Sequence, residues 1–234
     1  MSQAPLIPAP GQSSGQPQRD DATTALKLGL AVGLCLVLIG ARCLYTETTR
    51  FLFLPWNLLL AGVPMVFAWL AVRARRKGSL LVWVYGAVWL LFLPNAPYLV
   101  TDLIHLRYSA DAPILFDTMI LFSCALCGLA MGFISLRWMQ GLVAKRWGAA
   151  AGQVFSLFAL SLAGFGIYLG RYLRWNSWDV IANPTSLLND ILVRLAHPVV
   201  YWHTWAVSVV FALLLISAYW LPVDSSIAGR DSTH

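Results

Sequence analysis

Six apolar stretches constrain this chain more than any other feature of its sequence. They lie at about residues 25–44, 51–72, 79–93, 114–136, 149–169 and 199–221, and polar or basic residues separate them. A helix that crosses a bilayer needs about 20 mostly apolar residues, which most of these stretches supply. Hydrophobic residues make up 59% of the chain and charged residues only 11%. The sequence therefore predicts an all-α, polytopic bundle of about six transmembrane helices.

The chain divides into one membrane domain and two short tails. Residues 1–24 are rich in Pro, Gln, Ser and Gly and contain no apolar run, so we expect a disordered N-terminal tail. Residues 25–222 form the predicted membrane domain. The polar residues 223–234 are expected to form a flexible C-terminal tail.

Basic residues between the apolar stretches predict the orientation of the chain. Residues 73–77 contain four Lys or Arg, and residues 137–146 contain three more without an acidic residue. Short basic loops tend to stay in the cytoplasm. With six spans, both termini share that side, and so do ten of the 16 Lys and Arg residues. We therefore expect a multi-pass protein of the plasma (inner) membrane with both termini in the cytoplasm.

A polar interruption, LPNAP at residues 93–97, follows the third apolar stretch. Two prolines three residues apart remove two backbone donors and disfavour helical geometry before them, so the helix should end near Leu93. Asn95 is a favourable N-cap for a new helix, on which Asp102 and His105 lie three residues apart. We expect this second helix to lie in the interface or to re-enter the membrane.

The connection between the fifth and sixth apolar stretches, residues 170–198, predicts another short helix. Asn183 and Pro184 are typical of an N-cap and a first helical position, and Leu and Ile residues follow at helical spacing until His197. This amphipathic helix is too short to span a bilayer, so we expect it in the interface. Under the predicted orientation, both connections meet at the extracytoplasmic face.

The candidate site residues belong to these two connections and to adjacent helix ends. Asp102 and His105 are candidate catalytic residues because together they could act as a base and its orienting partner. The candidate binding residues are Asn95, Asp117, Arg171, Arg174 and Asp179.

Structural roles are the alternative for the same residues. Asp102 could pair with an arginine such as Arg171, while the histidines bond carbonyls that the prolines leave free. Asp117 could simply be stabilised at the positive end of its helix dipole.

A metal site is a further alternative for the D-x-x-H pair. The other ligands would come from His197, His203, Asp117 or Asp179. Because D-x-x-H supplies only two ligands, the sequence predicts neither a bound metal nor another cofactor.

Small residues within the apolar stretches predict helix contacts. Glycines four residues apart occur at 29 and 33, 128 and 132, and 166 and 170, a spacing that permits close helix approach. Cys124 and Cys127 have the spacing of a redox motif, but inside an apolar stretch they are more typical of a helix contact.

Two strings in the chain resemble a bacterial membrane-protein family called Domain of Unknown Function 1361. They are LPNAPYLVTDLIHL at residues 93–106 and YLGRYLRWNSWD at residues 168–179. The resemblance extends over most of the chain and implies a multi-helix integral membrane protein, without an activity to carry over. It also indicates that the two strings belong together. We expect Asp102 or His105 to lie within side-chain reach of residues 171–179.

Two functions of different classes follow from these observations. The first is a binding or scaffold component whose extracytoplasmic polar pocket holds a lipid headgroup, a small ligand or a partner subunit. The second is a membrane-embedded enzyme that acts on a lipid-linked or phosphate-bearing substrate, with Asp102 and His105 as acid or base and the arginines holding phosphate.

The expected partners are membrane lipids, and a second copy of the chain or another membrane protein is a candidate. The net charge of +6 does not indicate a nucleic-acid partner, because the basic residues form no patch with interleaved aromatics.

Overall fold

The computed structural model describes residues 16–108 and 111–221, and this part of the chain is helical apart from short connections. The helices are α1 (Gln16–Thr46), α2 (Phe53–Arg76), α3 (Leu81–Phe92), α4 (Asn95–Thr101), a 3-10 helix (Asp102–Tyr108), α5 (Ile114–Trp147), α6 (Ala149–Tyr172), α7 (Asp179–Ala182), α8 (Pro184–Ala196) and α9 (Trp202–Trp220). Helix α1 begins within the range 1–24 that we predicted as a tail. The predicted C-terminal tail lies outside the described residues.

Six helical segments are long and apolar enough to cross a membrane, which confirms the predicted polytopic bundle. Five of them are single helices. The third runs over Leu81–Arg107 and includes α3, α4 and most of the 3-10 helix, so it is longer than the predicted stretch 79–93. Helix α5 also extends beyond its predicted end, and Arg137, Lys145 and Arg146 therefore lie on that helix rather than in a loop.

The helix after the proline break lies inside the bundle, in agreement with the re-entrant alternative and not with the interfacial one. Helix α4 packs against α2, α5 and α6, and Ala96 and Leu99 are fully buried. Gly128 of α5 permits this packing, because a Cβ there would overlap the Ala96 carbonyl oxygen. Gly166 of α6 likewise leaves space for the Pro94 ring. The proline break thus directs the second half of the third span toward the core of the bundle.

Helix α1 contacts the bundle mainly through α5. The Sγ atoms of Cys35 in α1 and Cys127 in α5 lie 3.6 Å apart, as expected for cysteines at a helix contact. A Cβ atom added to Gly29 or Gly33, by contrast, would meet no heavy atom of a neighbouring described residue within 4 Å. This glycine pair does not serve close packing within the described chain.

Helix α8 matches the predicted short amphipathic helix, with Asn183 at its N-cap and Pro184 as its first residue. Its outer side carries Leu188, Leu192 and Leu195, each more than half exposed. Leu187 and Ile191 face the opposite way, toward α6 and the third span. An apolar outer face on a helix of 13 residues fits a position in the membrane interface.

Candidate functional site

Two neutral side chains complete the hydrogen bonding of the proline break. Asn95 Nδ2 donates to the Phe92 carbonyl at 3.0 Å and to Ser177 Oγ at 2.9 Å. Ser177 Oγ in turn donates to the Leu91 carbonyl at 3.2 Å. Unpaired carbonyls are costly within a bilayer, so these bonds stabilise the end of α3. The carbonyls are therefore satisfied by Asn95 and Ser177, not by histidines.

The predicted N-cap role of Asn95 is wrong. Pro94 occupies the N-cap position of α4, and no side chain of the described residues caps this helix. Asn95 is the first residue of α4, and its amide points back to α3 and across to the loop that follows α6. Its role is thus to connect three segments rather than to start one.

Asp102 pairs with Arg171, which confirms that the two strings lie within side-chain reach. The carboxylate is 1% exposed at the end of α4. Its Oδ1 accepts from Arg171 Nη2 at 2.5 Å, and its Oδ2 accepts from Asn57 Nδ2 at 2.9 Å. Arg171 Nε also donates to Thr101 Oγ1 at 2.8 Å. Its guanidinium lies 4.6 Å from the centre of the Tyr98 ring. Asp102 therefore joins α2 and α6 to the third span.

His105 faces a different neighbour from Asp102. Its ring packs on Phe53 at the beginning of α2, with the ring centres 4.7 Å apart. In the described part of the chain no hydrogen bond connects His105 with Asp102, whose two oxygens are engaged by Asn57 and Arg171. Asp102 and His105 thus make separate contacts, and the described residues show no acid–base pair between the two side chains.

Asp117 forms a second ion pair on the other side of the bundle. Its Oδ1 accepts from Arg42 Nε at 2.7 Å and its Oδ2 from Arg42 Nη2 at 3.1 Å, and both side chains are 0% exposed. The guanidinium also lies over the Phe51 ring. Asp117 thus fixes α1 to α5, and it does not line the cavity described below.

The loop after α6 contains the remaining two candidate binding residues. Asp179 accepts hydrogen bonds from the Asn176 backbone N–H at 2.7 Å and from the side-chain amides of Asn176 and Asn183. The backbone bond is the main reason that the pKa of Asp179 is lowered from its ordinary value, with the two amides adding to it. Arg174 is exposed and has a left-handed backbone, with φ +61°.

The histidines do not converge on a metal site. His197 ends α8, whereas His203 stacks on Trp202 in the first turn of α9. Among the described residues no group of three His, Cys, Asp or Glu side chains is close enough to hold a metal ion. The D-x-x-H pair thus gains no further ligand here.

A cavity of about 420 Å³ lies beside the break. Its walls come from α2, the third span, α6, the loop after α6 and the inner side of α8. The polar side chains that line it are all neutral; they are Asn57, Asn95, Tyr98, Asn176 and Ser177. The rest of the lining is apolar or aromatic. Asp102 and Arg171 are not part of the lining, but Asp102 accepts a hydrogen bond from the lining residue Asn57. Such a site suits an uncharged or amphipathic molecule rather than an ion.

Sequence reasoning identifies Asn95 but misses Asn57, Tyr98 and Ser177 as lining residues. Asn57 has a visible signal, since an amide one helical turn inside an apolar span needs a partner. For Ser177 no local signal exists, because its role depends on the Leu91 carbonyl, 86 residues earlier. From the sequence, Arg42 counts only among the basic residues that predict the orientation. Its position near the end of one apolar span, with Asp117 near the start of another, is the signal that could have indicated the ion pair.

The chain matches the model of a known protein family. The family described as "Protein of unknown function (DUF1361)" matches residues 56–218, which include the whole cavity lining. No curated protein matches the chain, and neither does any solved structure.

Proposed function

Because the chain belongs to the DUF1361 family, whose description assigns no function, we propose one from the site: a membrane-embedded binding protein. The ligand is an amphipathic molecule of the bilayer, and the cavity beside the proline break receives its apolar part. We place the protein in the plasma (inner) membrane, with both termini in the cytoplasm and the mouth of the cavity on the other side.

The observation that carries this proposal is the shape and chemistry of the cavity. On α6 its lining extends from Leu162 to Gly170, which at 1.5 Å per residue is a length of roughly 12 Å along the helix. Leu162 is 37% exposed on the outside of the bundle, whereas the other end of the cavity reaches the loop residues Asn176 and Ser177. The cavity thus has a lipid-facing apolar end and a polar end near the interface.

The same geometry favours binding over catalysis. An enzyme needs a titratable group that is free to accept or donate a proton, and Asp102 is neutralised by Arg171 and bonded by Asn57. The polar groups that do face the cavity are amides and hydroxyls. They can orient a ligand by hydrogen bonds, and of the side chains that line the cavity the Tyr98 phenol is the one able to exchange a proton.

Photo-crosslinking tests this proposal directly. The full-length protein would be placed in nanodiscs that contain phosphatidylethanolamine with a diazirine in one acyl chain, and labelled residues would be mapped by mass spectrometry. We expect labels on Leu90, Pro94 and Tyr98, which line the cavity, in addition to labels on exposed residues such as Leu213.

Two tryptophan variants provide the matched control. Leu90→Trp with Val180→Trp fills part of the cavity, and Leu213→Trp adds the same side chain on the exposed face of α9. The variant with Leu90→Trp and Val180→Trp should lose the labels in the cavity and keep those on the exposed face around Leu213. The Leu213→Trp variant should keep the labels at both places. Labels confined to outward-facing residues in every protein would contradict the proposal.

The orientation has its own test. A reporter that is active only in the cytoplasm, fused after His234, should be active if both termini face the cytoplasm. If a reporter that is active only in the periplasm were active at the same position, the C-terminus would lie outside the cytoplasm and the proposed orientation would be wrong.

A further inference from the structure

Arg174 directly precedes Trp175, a lining residue of the cavity, and has an unusual backbone conformation. Its φ of +61° is left-handed, and it directly follows the last residues of α6, where glycine is the usual choice. The Trp175 N–H donates to the Leu169 carbonyl at 3.1 Å, so the chain turns back across the end of α6 at this point. A side chain costs about 1 kcal/mol in this conformation. An arginine is thus present where glycine would be more stable.

The charge of Arg174 is not neutralised within this region. Arg171 pairs with Asp102 and Arg194 pairs with Asp190. The carboxylate of Asp179 is occupied by three amide N–H groups. Among the side chains described, those of residues 23–107 and 111–221, no carboxylate lies within 4.0 Å of the Arg174 guanidinium, and the side chain is exposed.

This charge is adjacent to the cavity. Trp175, the next residue in the chain, lines it, and so do Asn176 and Ser177. The apolar end at Leu162 lies roughly 12 Å along α6 from Gly170, the last lining residue of that helix. The site therefore has an apolar end, a neutral polar end at Asn176 and Ser177, and an unneutralised cation two residues before Asn176 in the chain.

We propose that the ligand is a lipid whose headgroup carries a phosphate ester, and that Arg174 binds this phosphate. This inference rests on the proposed function above. A guanidinium forms charge-assisted hydrogen bonds with phosphate oxygens, and the neutral lining residues contact the uncharged part of the headgroup. In this proposal, Arg174 contributes to binding, and its left-handed backbone lowers the local stability of the loop.

Thermal stabilisation of the purified full-length protein in a neutral detergent tests the inference. The probes are phosphatidylglycerol, diacylglycerol with the same acyl chains, and inorganic phosphate. Phosphatidylglycerol should raise the melting temperature at lower concentration than diacylglycerol does. Arg174→Gln should weaken the apparent affinity for phosphatidylglycerol about 10-fold and leave that for diacylglycerol unchanged.

Three further variants distinguish the role of the charge from a change in folding. Arg174→Gly should raise the melting temperature without lipid, because it relieves the left-handed conformation, and yet weaken phosphatidylglycerol binding as much as Arg174→Gln. Arg174→Lys should retain most of the binding. Arg107→Gln removes an exposed cation away from the cavity and should have no effect.

The outcomes separate the two proposals. If both lipids stabilise equally and Arg174→Gln changes neither affinity, the phosphate inference is overturned while the cavity proposal stands. If neither lipid effect is reduced by Leu90→Trp with Val180→Trp, the proposed function itself fails. If inorganic phosphate alone produces the full Arg174-dependent shift in that filled variant, the ligand is free phosphate and the lipid assignment is wrong.

Discussion

Within the part of the chain that the structure describes, the ion pairs Arg42–Asp117 and Arg171–Asp102 both have a buried carboxylate but are built in different ways. Arg42 and Asp117 form a two-bond pair between α1 and α5, and both side chains are fully enclosed. Arg171 and Asp102 share one bond, with the arginine 20% exposed and further donors and acceptors supplied by Asn57 and Thr101. Both pairs extend into hydrogen-bond networks, since Arg42 Nη1 also donates to Thr46 and Thr48, but the second pair also lies beside the cavity, whose lining includes its partner Asn57.

The helices that carry the two ion pairs also differ in how closely they pack against the rest of the bundle. Helix α1 has few neighbours besides α5, and its glycines at 29 and 33 face open space within the described part of the chain. Helix α4, near the second pair, is enclosed by three helices and depends on Gly128 and Gly166 for its close approach. Helix α1 thus packs with one face, where Cys35 and Ile39 are buried and the Arg42–Asp117 pair connects it to α5, whereas α4 has close contacts with three helices in addition to the ion pair at its end.

Breaking the enclosed pair should have the largest effect. Asp117→Asn leaves the Arg42 charge buried without its counterion, and we expect a loss of about 3–5 kcal/mol in unfolding free energy, measured by thermal or denaturant unfolding in detergent. Asp111→Asn is the matched control, because Asp111 pairs with Arg50 on the surface, where both side chains are over 40% exposed. Equal losses in the two variants would contradict the comparison.

Crowding the α4 contact should have the next largest effect. Gly128→Ala places a methyl group against the Ala96 carbonyl oxygen and the Leu99 side chain, with an expected loss of about 1–3 kcal/mol. Gly33→Ala, on the open face of α1, should leave the unfolding free energy unchanged within about 0.5 kcal/mol. If both substitutions were neutral, α4 would not pack against α5 as described.

Neutralising the second pair should cost less than neutralising the first. Asp102→Asn can still accept a hydrogen bond, and Arg171 can reach water, so we expect a loss of about 1–2 kcal/mol. A double-mutant cycle of Asp102→Asn with Arg171→Gln measures the coupling directly. The corresponding cycle of Arg42 and Asp117 should give the larger coupling energy, and the reverse order would refute our distinction between the pairs.

Acid should loosen the loop beside the second pair, with the smallest effect of the four. The lowered pKa of Asp179 means that the folded loop favours the carboxylate, so the stabilisation is complete above the unfolded pKa of about 3.9. It is lost as the pH falls through the folded pKa. Hydrogen exchange of residues 174–183 should therefore increase below about pH 4, relative to the intrinsic exchange rate. Asp179→Asn should exchange faster already at neutral pH and lack this acid step.

Much of the fold follows from local sequence patterns. Apolar length predicts six spans, the prolines predict the end of α3 near Leu93, and Asn183 with Pro184 predicts the start of α8. These features depend on residues that are close together in the chain. The sequence left the position of α4 open between the interface and the membrane interior, because polar residues after a proline break are equally consistent with a surface helix and with a core that supplies its own hydrogen bonds.

The site is predictable only in part, for the same physical reason. A buried carboxylate must have a partner, so the approach of Asp102 to residues 171–179 can be inferred. Which partner it takes, and that His105 packs on Phe53 instead, depends on how α2 is placed against the third span. The cavity depends on gaps between five segments, and no local pattern encodes a gap.

The hydrogen bond from Asn95 to Ser177 also has a consequence for biogenesis. The two residues are 82 positions apart, so at about 5–20 residues per second the ribosome adds Ser177 about 4–16 s after Asn95. During that interval the Leu91 carbonyl lacks the donor that Ser177 supplies. The third span is therefore expected to remain beside water, the translocon or a chaperone until the fifth span and the loop after it have been made, and only then to reach its final place.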